Sequence, residues 1–567
     1  MRYPDALNPD LLNRIPLDAR LILDVGCGAA ATGMEYKRRN PRALYVGVEQ
    51  DDEAAIIAKL RIDKVIHGAI EDLKSNSELS KFDCIILGDV LEHLQNPWDI
   101  LKFLADKLSE RGVILICMPN LEHWSFASRL LTGGWDYEPT GLFDRTHLRW
   151  FTFDTTLRAI REAGLQAIDV KGRVFDADAC LGFIQRIAPA LSALDIDPAE
   201  YQRRASPIQH VWRATSNLIL RTNVISTILS PVGGVSQVRV SDPMDALATL
   251  PDMFAMVTQS SEIPDLERNS PKIFIFHRPL LQGDDGLLPI RQLISLGYVI
   301  VCEFDDHPDF IPVLQRSDIQ NFRAVHAIQT STPALAEVLS RENPEIRVFA
   351  NAIPRMPDPQ NFINPDRMSL FFGGLNRESE WPEYLDSLNS VAEAAGSHLH
   401  FEIIHDEGLF DGLKTPHKTF TPLCDYETYK EILARCEISF MPLSDTPFNR
   451  CKSDLKFLEA ASHRVAALAS PVVYGNIVAD GINGIVFQSP EDLRRRLLAM
   501  LALPEHTRRM AEAAQQYVLN HRMMSQQIRD RASWYKDLWE RRHELNDALL
   551  ARVPELAEGH SGHLSFT

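Results

Sequence analysis

The sequence predicts an α/β protein with three parallel β-sheets, and three observations support this prediction. Short aliphatic or β-branched runs alternate with helical patterns in three separate stretches, which is the rhythm of parallel strands joined by helices. A glycine-rich turn directly follows a strand in the first and in the third stretch. Finally, 567 residues are too many for one hydrophobic core, so several domains are expected.

The composition is that of a folded, acidic protein. Hydrophobic residues make up 45% and charged residues 24% of the chain, close to globular averages. A net charge of −18 argues against a nucleic-acid partner, because phosphate neutralisation requires clustered Lys and Arg. The eight cysteines form no CxxC pair, so neither a zinc site nor a disulfide framework is predicted. The N-terminus lacks an apolar leader segment, and we expect a cytoplasmic protein with membrane contact only at its surface.

The predicted domain boundaries follow the three alternating stretches. Residues 1–215 form the first domain, in which a sheet is capped by helices. Residues 216–355 and 356–545 form the second and third domains, joined by a segment rich in Pro and Asn at 354–366. Residues 546–567 are predicted to be a polar tail.

The first stretch contains a binding turn. In LDVGCGAAATG, Gly26 and Gly28 flank Cys27 between a strand and a helix, which lets the backbone approach a ligand closely. Glu49, followed by Gln50, ends the next strand, where a carboxylate can accept both hydroxyls of a ribose. The same glycines also fit the dinucleotide fingerprint G-x-G-x-x-A, so an NAD-dependent enzyme is the alternative at this point.

Three further features decide between these alternatives. Asp24 lies two residues before the first glycine, where dinucleotide-binding folds keep an apolar residue. HGAIEDL offers Ile70 and an acidic residue, Glu71 or Asp72, to a purine ring. FDCIILGDVLEHLQNPWDIL gives a buried strand that ends at Asp89 and a short helix after it. Together these features resemble the class I S-adenosylmethionine-dependent methyltransferases, and D-V-L-E-H-L resembles the branch that acts on small molecules and sugars.

This resemblance implies S-adenosylmethionine as the cofactor, with these binding residues: Asp24, Gly26, Cys27, Gly28, Glu49, Gln50, Ile70, Glu71 and Asp89. In that family the glycine turn and the acid matching Asp24 hold the methionine end of the cofactor. The acid matching Glu49 holds the ribose, and the loop matching Ile70 to Asp72 flanks the adenine. Glu92 is expected instead to cap and solvate the short helix.

His93, His147 and Asp144 are the predicted catalytic residues. The segment 119–152 resembles the part of the family that lies over the cofactor, and it contains the last two. Histidine suits a general base for a hydroxyl acceptor because its ordinary pKa lies near working pH. The structural alternative is that both histidines only pack, and that Asp144 makes an internal hydrogen bond to Arg145 or His147.

The third stretch contains a predicted diphosphate site. Ser453 or Asp454 can cap a helix that runs through LKFLEAA, and its N-terminus offers N–H groups and positive potential to a diphosphate. Lys452 and Lys456 flank that end of the helix. Glu459 lies less than two turns further on and can accept hydrogen bonds from a ribose.

This arrangement resembles the nucleotide-binding half of the GT-B glycosyltransferases, in particular a retaining family with two glutamates eight positions apart. Glu459 matches the second glutamate, but the first falls at Cys451, which leaves open the residue that contacts the transferred sugar. The run from Lys452, K-S-D-L-K-F-L-E, matches a variant group of bacterial surface-polysaccharide glycosyltransferases. FFGGLNRE matches the first glycine loop of the family and places Gly374 and Arg377 at the donor phosphates.

An acidic run at 302–308, CEFDDHP, suggests a different class of glycosyltransferase. Glu303, Asp305 and Asp306 resemble the D-x-D motif with which GT-A enzymes hold Mg²⁺ or Mn²⁺. A GT-A fold binds its nucleotide on the N-terminal strands, whereas here the nucleotide features come afterwards. We therefore interpret Asp305 and Asp306 as lining the acceptor side of a cleft, and no metal site is predicted.

The resemblances imply a Rossmann-like methyltransferase domain followed by a two-lobed, GT-B-like pair of Rossmann-like domains. They also imply a bifunctional enzyme, which O-methylates a sugar or glycan and transfers a sugar from a nucleotide sugar during surface polysaccharide or glycolipid assembly. The expected partners are the nucleotide sugar and a glycan or lipid-linked sugar acceptor. The alternative is an active methyltransferase targeted by a non-catalytic glycan- or nucleotide-binding module, which the departure at Cys451 favours.

Overall fold

A computed structural model describes residues 5–75, 81–231, 233–259, 263–264, 266–267, 269–358 and 366–557. The chain forms two compact units. The first comprises the described residues up to Arg221 together with Ala248–Met253. The second comprises Thr222–Leu247 and the described residues from Phe254 onward.

One seven-stranded sheet forms the centre of the first unit. Its strands are β1 (Leu21–Val25), β2 (Leu44–Glu49), β3 (Lys64–His67), β4 (Phe82–Gly88), β5 (Leu108–Pro119), β6 (Gln166–Arg173) and β7 (Gln209–Thr215). They lie in the order β3-β2-β1-β4-β5-β7-β6, and only β7 is antiparallel to its neighbours. The strand order reverses between β1 and β4, and a crevice at the carboxyl ends of strands at such a point is the usual ligand site of an open α/β sheet.

Helices surround this sheet. The α-helices of the first unit are Pro9–Leu12, Ala31–Arg39, Asp52–Ala58, Pro97–Ala105, Trp124–Leu131, Phe153–Glu162, Ala177–Ala193 and Pro198–Ala205, and the 3₁₀ turns are Ile70–Ser75 and Leu91–His93. Ala31–Arg39 begins directly after the glycine turn, as the sequence predicts.

The second unit contains two six-stranded sheets, in which every strand pair of known direction is parallel. The first sheet has β8 (Thr222–Thr227), β9 (Met253–Thr258), β10 (Lys272–His277), β11 (Val299–Glu303), β12 (Ala327–Thr330) and β13 (Ile346–Val348) in the order β13-β12-β11-β10-β8-β9. Its helices are Gly233–Ser236, the π-helical Gln237–Ser241, Asp242–Thr249, Gly283–Ser295 and Pro333–Leu339, with 3₁₀ turns at Pro308–Phe310 and Pro312–Gln315.

The second sheet repeats the doubly wound pattern. It has β14 (Met368–Gly373), β15 (Leu399–Ile404), β16 (Lys418–Thr421), β17 (Ile438–Met441), β18 (Ala466–Ala469) and β19 (Ile485–Val486) in the order β16-β15-β14-β17-β18-β19. The α-helices that follow β14 in the chain are Leu385–Ala395, Glu407–Gly412, Tyr426–Ala434, Pro447–Arg450, Leu455–Ser462, Pro490–Ala502, Pro504–His521, Ile528–Glu540 and Arg542–Arg552; the 3₁₀ turns are Pro382–Tyr384, Gly396–His398, Tyr474–Asn476, Met524–Gln526 and Pro554–Leu556.

The prediction of a polar tail over 546–567 is wrong for its first half. The last helix continues to Arg552, and Leu549, Val553 and Leu556 are buried in the core of the first sheet of the second unit. Leu549 lies in the last helix, Val553 is the residue that ends it, and Leu556 lies in the 3₁₀ turn that follows, so the apolar burial continues beyond the helix. Residues 558–567 lie outside the described residues. No helix among the described residues is long and apolar enough to cross a membrane.

Residues Ala248–Met253 complete the first unit, although they follow β8 in the chain. The backbone N–H of Leu17 donates to Thr249 Oγ1 at 3.0 Å. The buried guanidinium of Arg213 donates to the backbone oxygen of Thr249 at 2.8 Å and also pairs with Asp169. A boundary near residue 215, as the sequence predicts, therefore separates Arg213 from one of its hydrogen-bond partners.

We expect Thr249→Ala to destabilise the first unit selectively. Removing the hydroxyl leaves the buried N–H of Leu17 without its acceptor, at a cost of about 1–3 kcal/mol. Hydrogen exchange measured by mass spectrometry should show faster exchange in β1 and β7 and unchanged exchange in β14. Thr249→Ser retains the hydroxyl and serves as the control. Equal exchange in the Ala and Ser variants would show that this contact contributes little.

Candidate active sites

A cavity of about 650 Å³ lies in the crevice of the first unit, at the carboxyl ends of β1, β2 and β4. Its lining includes all nine residues predicted to bind the cofactor: Asp24, Gly26, Cys27, Gly28, Glu49, Gln50, Ile70, Glu71 and Asp89. His93 lines the same cavity. Leu7, Asn8 and Leu11 line it as well, and no pattern in the sequence pointed to this N-terminal segment.

The glycine turn has the backbone conformation that only glycine adopts easily. Gly26 has φ +67° and Gly28 has φ +54°. A Cβ atom added at Gly26 would lie 2.7 Å from Val90 Cγ2, whereas one added at Gly28 would meet no heavy atom within 4 Å. Gly26 is therefore required both for its torsion angles and for space, and Gly28 for its torsion angles alone.

Two carboxylates prepare this crevice for a ligand. Asp24 is buried and accepts a hydrogen bond from the Tyr45 hydroxyl at 2.8 Å; burial raises its pKa to about 7. Glu49 accepts from the backbone N–H groups of Gly28 at 2.7 Å and Asp51 at 2.8 Å. A carboxylate has about four lone-pair sites. Glu49 can therefore hold the glycine turn and still accept hydrogen bonds from ligand hydroxyls.

Asp144, Thr146 and His93 form a hydrogen-bonded series. Asp144 Oδ1 accepts from both the hydroxyl and the backbone N–H of Thr146 at 2.7 Å. The Thr146 hydroxyl lies 3.0 Å and its carbonyl 3.2 Å from His93 Nδ1. Because the hydroxyl proton points to the carboxylate, both of these oxygens act as acceptors toward Nδ1. His93 therefore carries its proton on Nδ1, and Nε2 has the lone pair of the neutral ring.

Asp144 thus makes internal hydrogen bonds, and His147, one of the two predicted partners, donates its backbone N–H to the backbone oxygen of Asp144 at 3.1 Å. The prediction is wrong only for the carboxylate of Asp144. The described contacts pair its carboxylate with Thr146 and not with Arg145 or His147. The His147 ring lies 4.8 Å from that of His93 and 5.3 Å from that of Trp150, between centroids. Burial lowers the pKa of His147. His147 and Asp144 do not line the 650 Å³ cavity, so only His93 reaches it directly.

The sequence suggested that Glu92 is a solvated capping residue, but the structure shows otherwise. Its side chain is buried, and neither carboxylate oxygen has a hydrogen-bond partner among the described residues. Burial and the neighbouring charge of Asp89 raise its pKa well above the ordinary value. Ligand atoms of Glu92, His93 and His147 lie within 4.8 Å of one another, so this group has donors that suit a divalent cation.

In the second unit, the acidic run CEFDDHP is ion-paired. Glu303 is fully buried against Arg239, with Nε and Oε1 2.8 Å apart. Asp305 pairs with Arg278 at 2.7 Å, and Asp306 pairs with Lys452 at 2.9 Å. Each acid of the run is thus already neutralised by a protein cation. The interpretation that Asp305 and Asp306 line the acceptor side of a cleft stays a prediction.

Glu459 is buried in a group of tyrosines. It accepts hydrogen bonds from the hydroxyls of Tyr426 at 2.7 Å and Tyr429 at 3.1 Å. Lys456 Nζ donates to the Tyr429 hydroxyl at 2.8 Å and lies 3.7 Å from Glu459. Burial lowers the pKa of Lys456, and the charge of Arg377 lowers it further. Lys456 and Glu459 therefore lie close together, and the donor site predicted from them and Arg377 stays a prediction.

The predicted side-chain cap of the helix Leu455–Ser462 is absent. Ser453 Oγ accepts from the Asn351 amide at 2.9 Å, and Asp454 pairs with Arg522. Asp454 occupies the N-cap position, but its carboxylate accepts no hydrogen bond from the helix. Its backbone oxygen accepts from the N–H groups of Phe457 at 3.0 Å and Leu458 at 3.2 Å. Because neither side chain caps the helix, its first N–H groups stay available to a ligand.

The first glycine loop holds Arg377 beside Asn449. Arg377 Nη1 lies 3.4 Å from Asn449 Oδ1. A Cβ atom added at Gly374 would lie 2.7 Å from Arg377 Cγ. Gly374 therefore gives space to the Arg377 side chain, a role that follows from the loop alone and does not involve a ligand.

The comparisons with known proteins fit these two units. Residues 2–170 match the family model described as a methyltransferase domain. A ubiquinone biosynthesis O-methyltransferase of Dinoroseobacter shibae is 29% identical over 175 residues, which cover 30% of this chain and 68% of that protein. An S-adenosylmethionine-dependent methyltransferase structure from Archaeoglobus fulgidus has a TM-score of 0.25 and 18% identity, covering 35% of this chain and 87% of that one. HepE of Anabaena, solved with UDP and glucose, has a TM-score of 0.39 and 12% identity, covering 55% of this chain and 100% of that one.

The first unit is accordingly a methyltransferase domain with a Rossmann-like sheet. The second unit contains two six-stranded sheets, and the strand order of each changes direction as in doubly wound α/β folds. The predicted fold class is confirmed.

Proposed function

We propose that this chain is a bifunctional enzyme, which methylates a hydroxyl of a sugar or related glycan and transfers a sugar from a nucleotide sugar during assembly of a surface polysaccharide or glycolipid. One observation supports the proposed methyltransferase activity. All nine residues predicted for S-adenosylmethionine line a single cavity in the crevice of a domain that matches a methyltransferase family.

Different residues of the first unit contact different parts of the cofactor. Asp24 faces the methionine end, where a cationic amino group would favour its charged form. Glu49 receives the ribose hydroxyls, and Ile70 packs beside the adenine. The bound sulfonium supplies the activated methyl group, so alignment of the acceptor oxygen is the main task of the protein.

We expect Glu49→Ala to weaken S-adenosylmethionine binding by about 1–3 kcal/mol, roughly tenfold to a hundredfold. The substitution removes the ribose acceptor and also frees the N–H groups that Glu49 holds. Isothermal titration calorimetry measures the change, with nucleotide-sugar binding as the internal control. Unchanged cofactor affinity would show that the ribose lies elsewhere.

His93 is the general base in this proposal, because it lines the cavity with Nε2 in the basic form. We expect His93→Gln to lower kcat for methyl transfer by about a hundredfold, at the low end for general-base catalysis. His147→Gln should lower kcat less, and neither change should alter the Kd for S-adenosylmethionine. If EDTA abolishes activity in the parent, His93 acts instead through a cation held with Glu92 and His147.

The glycosyltransferase half rests on the grouping of Arg377, Lys456 and Glu459 beside an uncapped helix N-terminus. Arg377 and Lys452 supply positive charge for the donor diphosphate, and Glu459 supplies an acceptor for the ribose. Glu459 is held by two tyrosine hydroxyls, so its carboxylate is fixed in position before the donor binds.

One experiment tests both halves. The protein is incubated with S-adenosylmethionine and a panel of nucleotide sugars, and bound ligands are identified by native mass spectrometry. We expect one molecule of S-adenosylmethionine and one nucleotide sugar per chain. If no nucleotide sugar is bound or hydrolysed, the second unit is a glycan-binding module that targets the methyltransferase.

A hydroxylated aromatic ring is the second candidate for the methyl acceptor. The relative from D. shibae is a ubiquinone biosynthesis O-methyltransferase, and the rings of Phe126, Trp135, Phe143 and Trp150 form a cluster next to His147. Methylation of catechols but not of glycans in the same assay would favour this acceptor.

A further inference from the structure

The two lysines predicted to bind the donor are neutralised in different ways. Lys456 Nζ lies 3.7 Å from Glu459 Oε2 in the same helix, three positions further on. Lys452 Nζ lies 2.9 Å from Asp306 Oδ1, a residue 146 positions earlier in the chain. Asp306 follows β11 of the first sheet of the second unit, whereas Lys452 lies between β17 and β18 of the second sheet. A carboxylate beside the first sheet therefore neutralises a predicted donor-binding cation beside the second.

The ion pair between Asp306 and Lys452 is held in place and is still open to solvent. Lys452 Nζ lies 4.2 Å from the centroid of the Phe448 ring, which lies 5.1 Å from that of Phe310. Asp306 Oδ1 also accepts from the backbone N–H of His307 at 3.1 Å. The side chains of Lys452 and Asp306 are 23% and 19% exposed, so an anion from solvent can reach the lysine.

A second cation lies beside Asp306. Arg278 Nη2 lies 3.7 Å from Asp306 Oδ2, and Arg278 Nε donates to Asp305 at 2.7 Å. A guanidinium has five N–H donors, so Arg278 can contact both carboxylates. When another anion takes the place of Asp306 at Lys452, Asp306 therefore keeps a cationic partner. The exchange leaves no charge unpaired, which would be strongly unfavourable in a partly buried site.

We propose that Asp306 occupies the place of the donor diphosphate at Lys452 and thereby sets the affinity of the second unit for its donor. The diphosphate as the incoming ligand rests on the proposed function, whereas the exchange of one anion for another rests on the ion pair itself. A donor diphosphate carries more negative charge than one carboxylate, so it displaces Asp306 where a singly charged anion does not. The effect falls on donor affinity and not on the rate of transfer with donor in excess.

Inorganic pyrophosphate tests this exchange, because it presents a diphosphate without a base or a sugar. In calorimetry we expect Asp306→Asn to bind pyrophosphate roughly three- to tenfold more tightly than the parent, since the anion no longer competes with a carboxylate. Asp305→Asn is the matched control: it removes the same charge one position earlier, but from the pair with Arg278, and should leave the affinity unchanged. In a Lys452→Ala background, Asp306→Asn should change nothing.

Labelling of Lys452 with an amine-reactive ester, measured by mass spectrometry, follows the ion pair without any ligand. We expect severalfold faster labelling in Asp306→Asn, because the carboxylate no longer holds the amine. Pyrophosphate binding that is equally tight in the parent and in Asp306→Asn overturns the exchange alone, and so does equal tightening in Asp305→Asn. Faster labelling in Asp306→Asn without pyrophosphate binding to either protein refutes the donor site itself, and the exchange with it.

Discussion

Lys452→Ala is expected to lower the rate of glycosyl transfer by about 2–4 kcal/mol of transition-state stabilisation, roughly 30-fold to 1,000-fold. Lys452 lies just before the uncapped helix Leu455–Ser462, where its charge adds to the helix N–H groups to stabilise a leaving diphosphate. Such a site needs no cation of its own. Transfer should therefore persist in EDTA, as measured by release of nucleoside diphosphate in the presence of acceptor.

Asp306→Asn is the matched control for this prediction. It removes the ion-pair partner of Lys452, whose Nζ lies 2.9 Å from Asp306 Oδ1, but it keeps the lysine charge. We expect transfer in this variant to stay near the parent value. If Asp306→Asn loses as much activity as Lys452→Ala, the pair serves only to hold the structure. If EDTA abolishes transfer and Mn²⁺ restores it, the acidic run CEFDDHP is the metal site after all.

Gly26→Val should reduce S-adenosylmethionine affinity by about 3–4 kcal/mol, roughly several hundredfold, because strain and collision act together. The residue has φ +67°, which a β-branched side chain strongly disfavours, and the new Cβ would lie 2.7 Å from Val90 Cγ2. The turn must therefore move away from the position in which it meets the cofactor. Calorimetry gives the affinity, and circular dichroism checks that the domain still folds.

The variant Gly28→Ala tests the effect of backbone strain without a steric collision. Gly28 also has a positive φ, but its added Cβ meets no heavy atom within 4 Å. We expect this variant to lose only about 1–2 kcal/mol, because strain alone is present. If both variants bind S-adenosylmethionine equally well, the position of the Gly26 backbone does not limit cofactor binding.

Most of the fold and of the candidate sites could be predicted from local sequence patterns. Asp24, Gly26 and Glu49 belong to a strand–turn–helix unit whose geometry depends on neighbouring residues, so their convergence could be foreseen. The partners of Asp144 and Glu459 could not, because Thr146 is one of several nearby polar residues and Tyr426 lies 33 positions away in the chain.

The sequence analysis also missed segments that pack against residues far away in the chain. The strand β8 lies within the apolar tract 216–234, which Arg221, Asn223 and Pro231 interrupt, and the sequence did not predict a strand there. Leu549, Val553 and Leu556 do show helical spacing, but their partners in the first sheet of the second unit precede them by more than 200 residues. A pattern in one segment indicates an apolar face without indicating what covers it.

The position of Thr249 within the first unit has a consequence for the order of synthesis. The methyltransferase sheet is complete once β7 has left the ribosome, but the acceptor for Leu17 and Arg213 is made 28 residues after Arg221. At bacterial or eukaryotic rates of elongation, those residues take roughly 1–6 s to synthesise. During that interval β8 is already present and the first unit still lacks its last segment. The first unit is therefore completed only after β8 has been made, at a point when the second unit still lacks all of its residues from Phe254 onward.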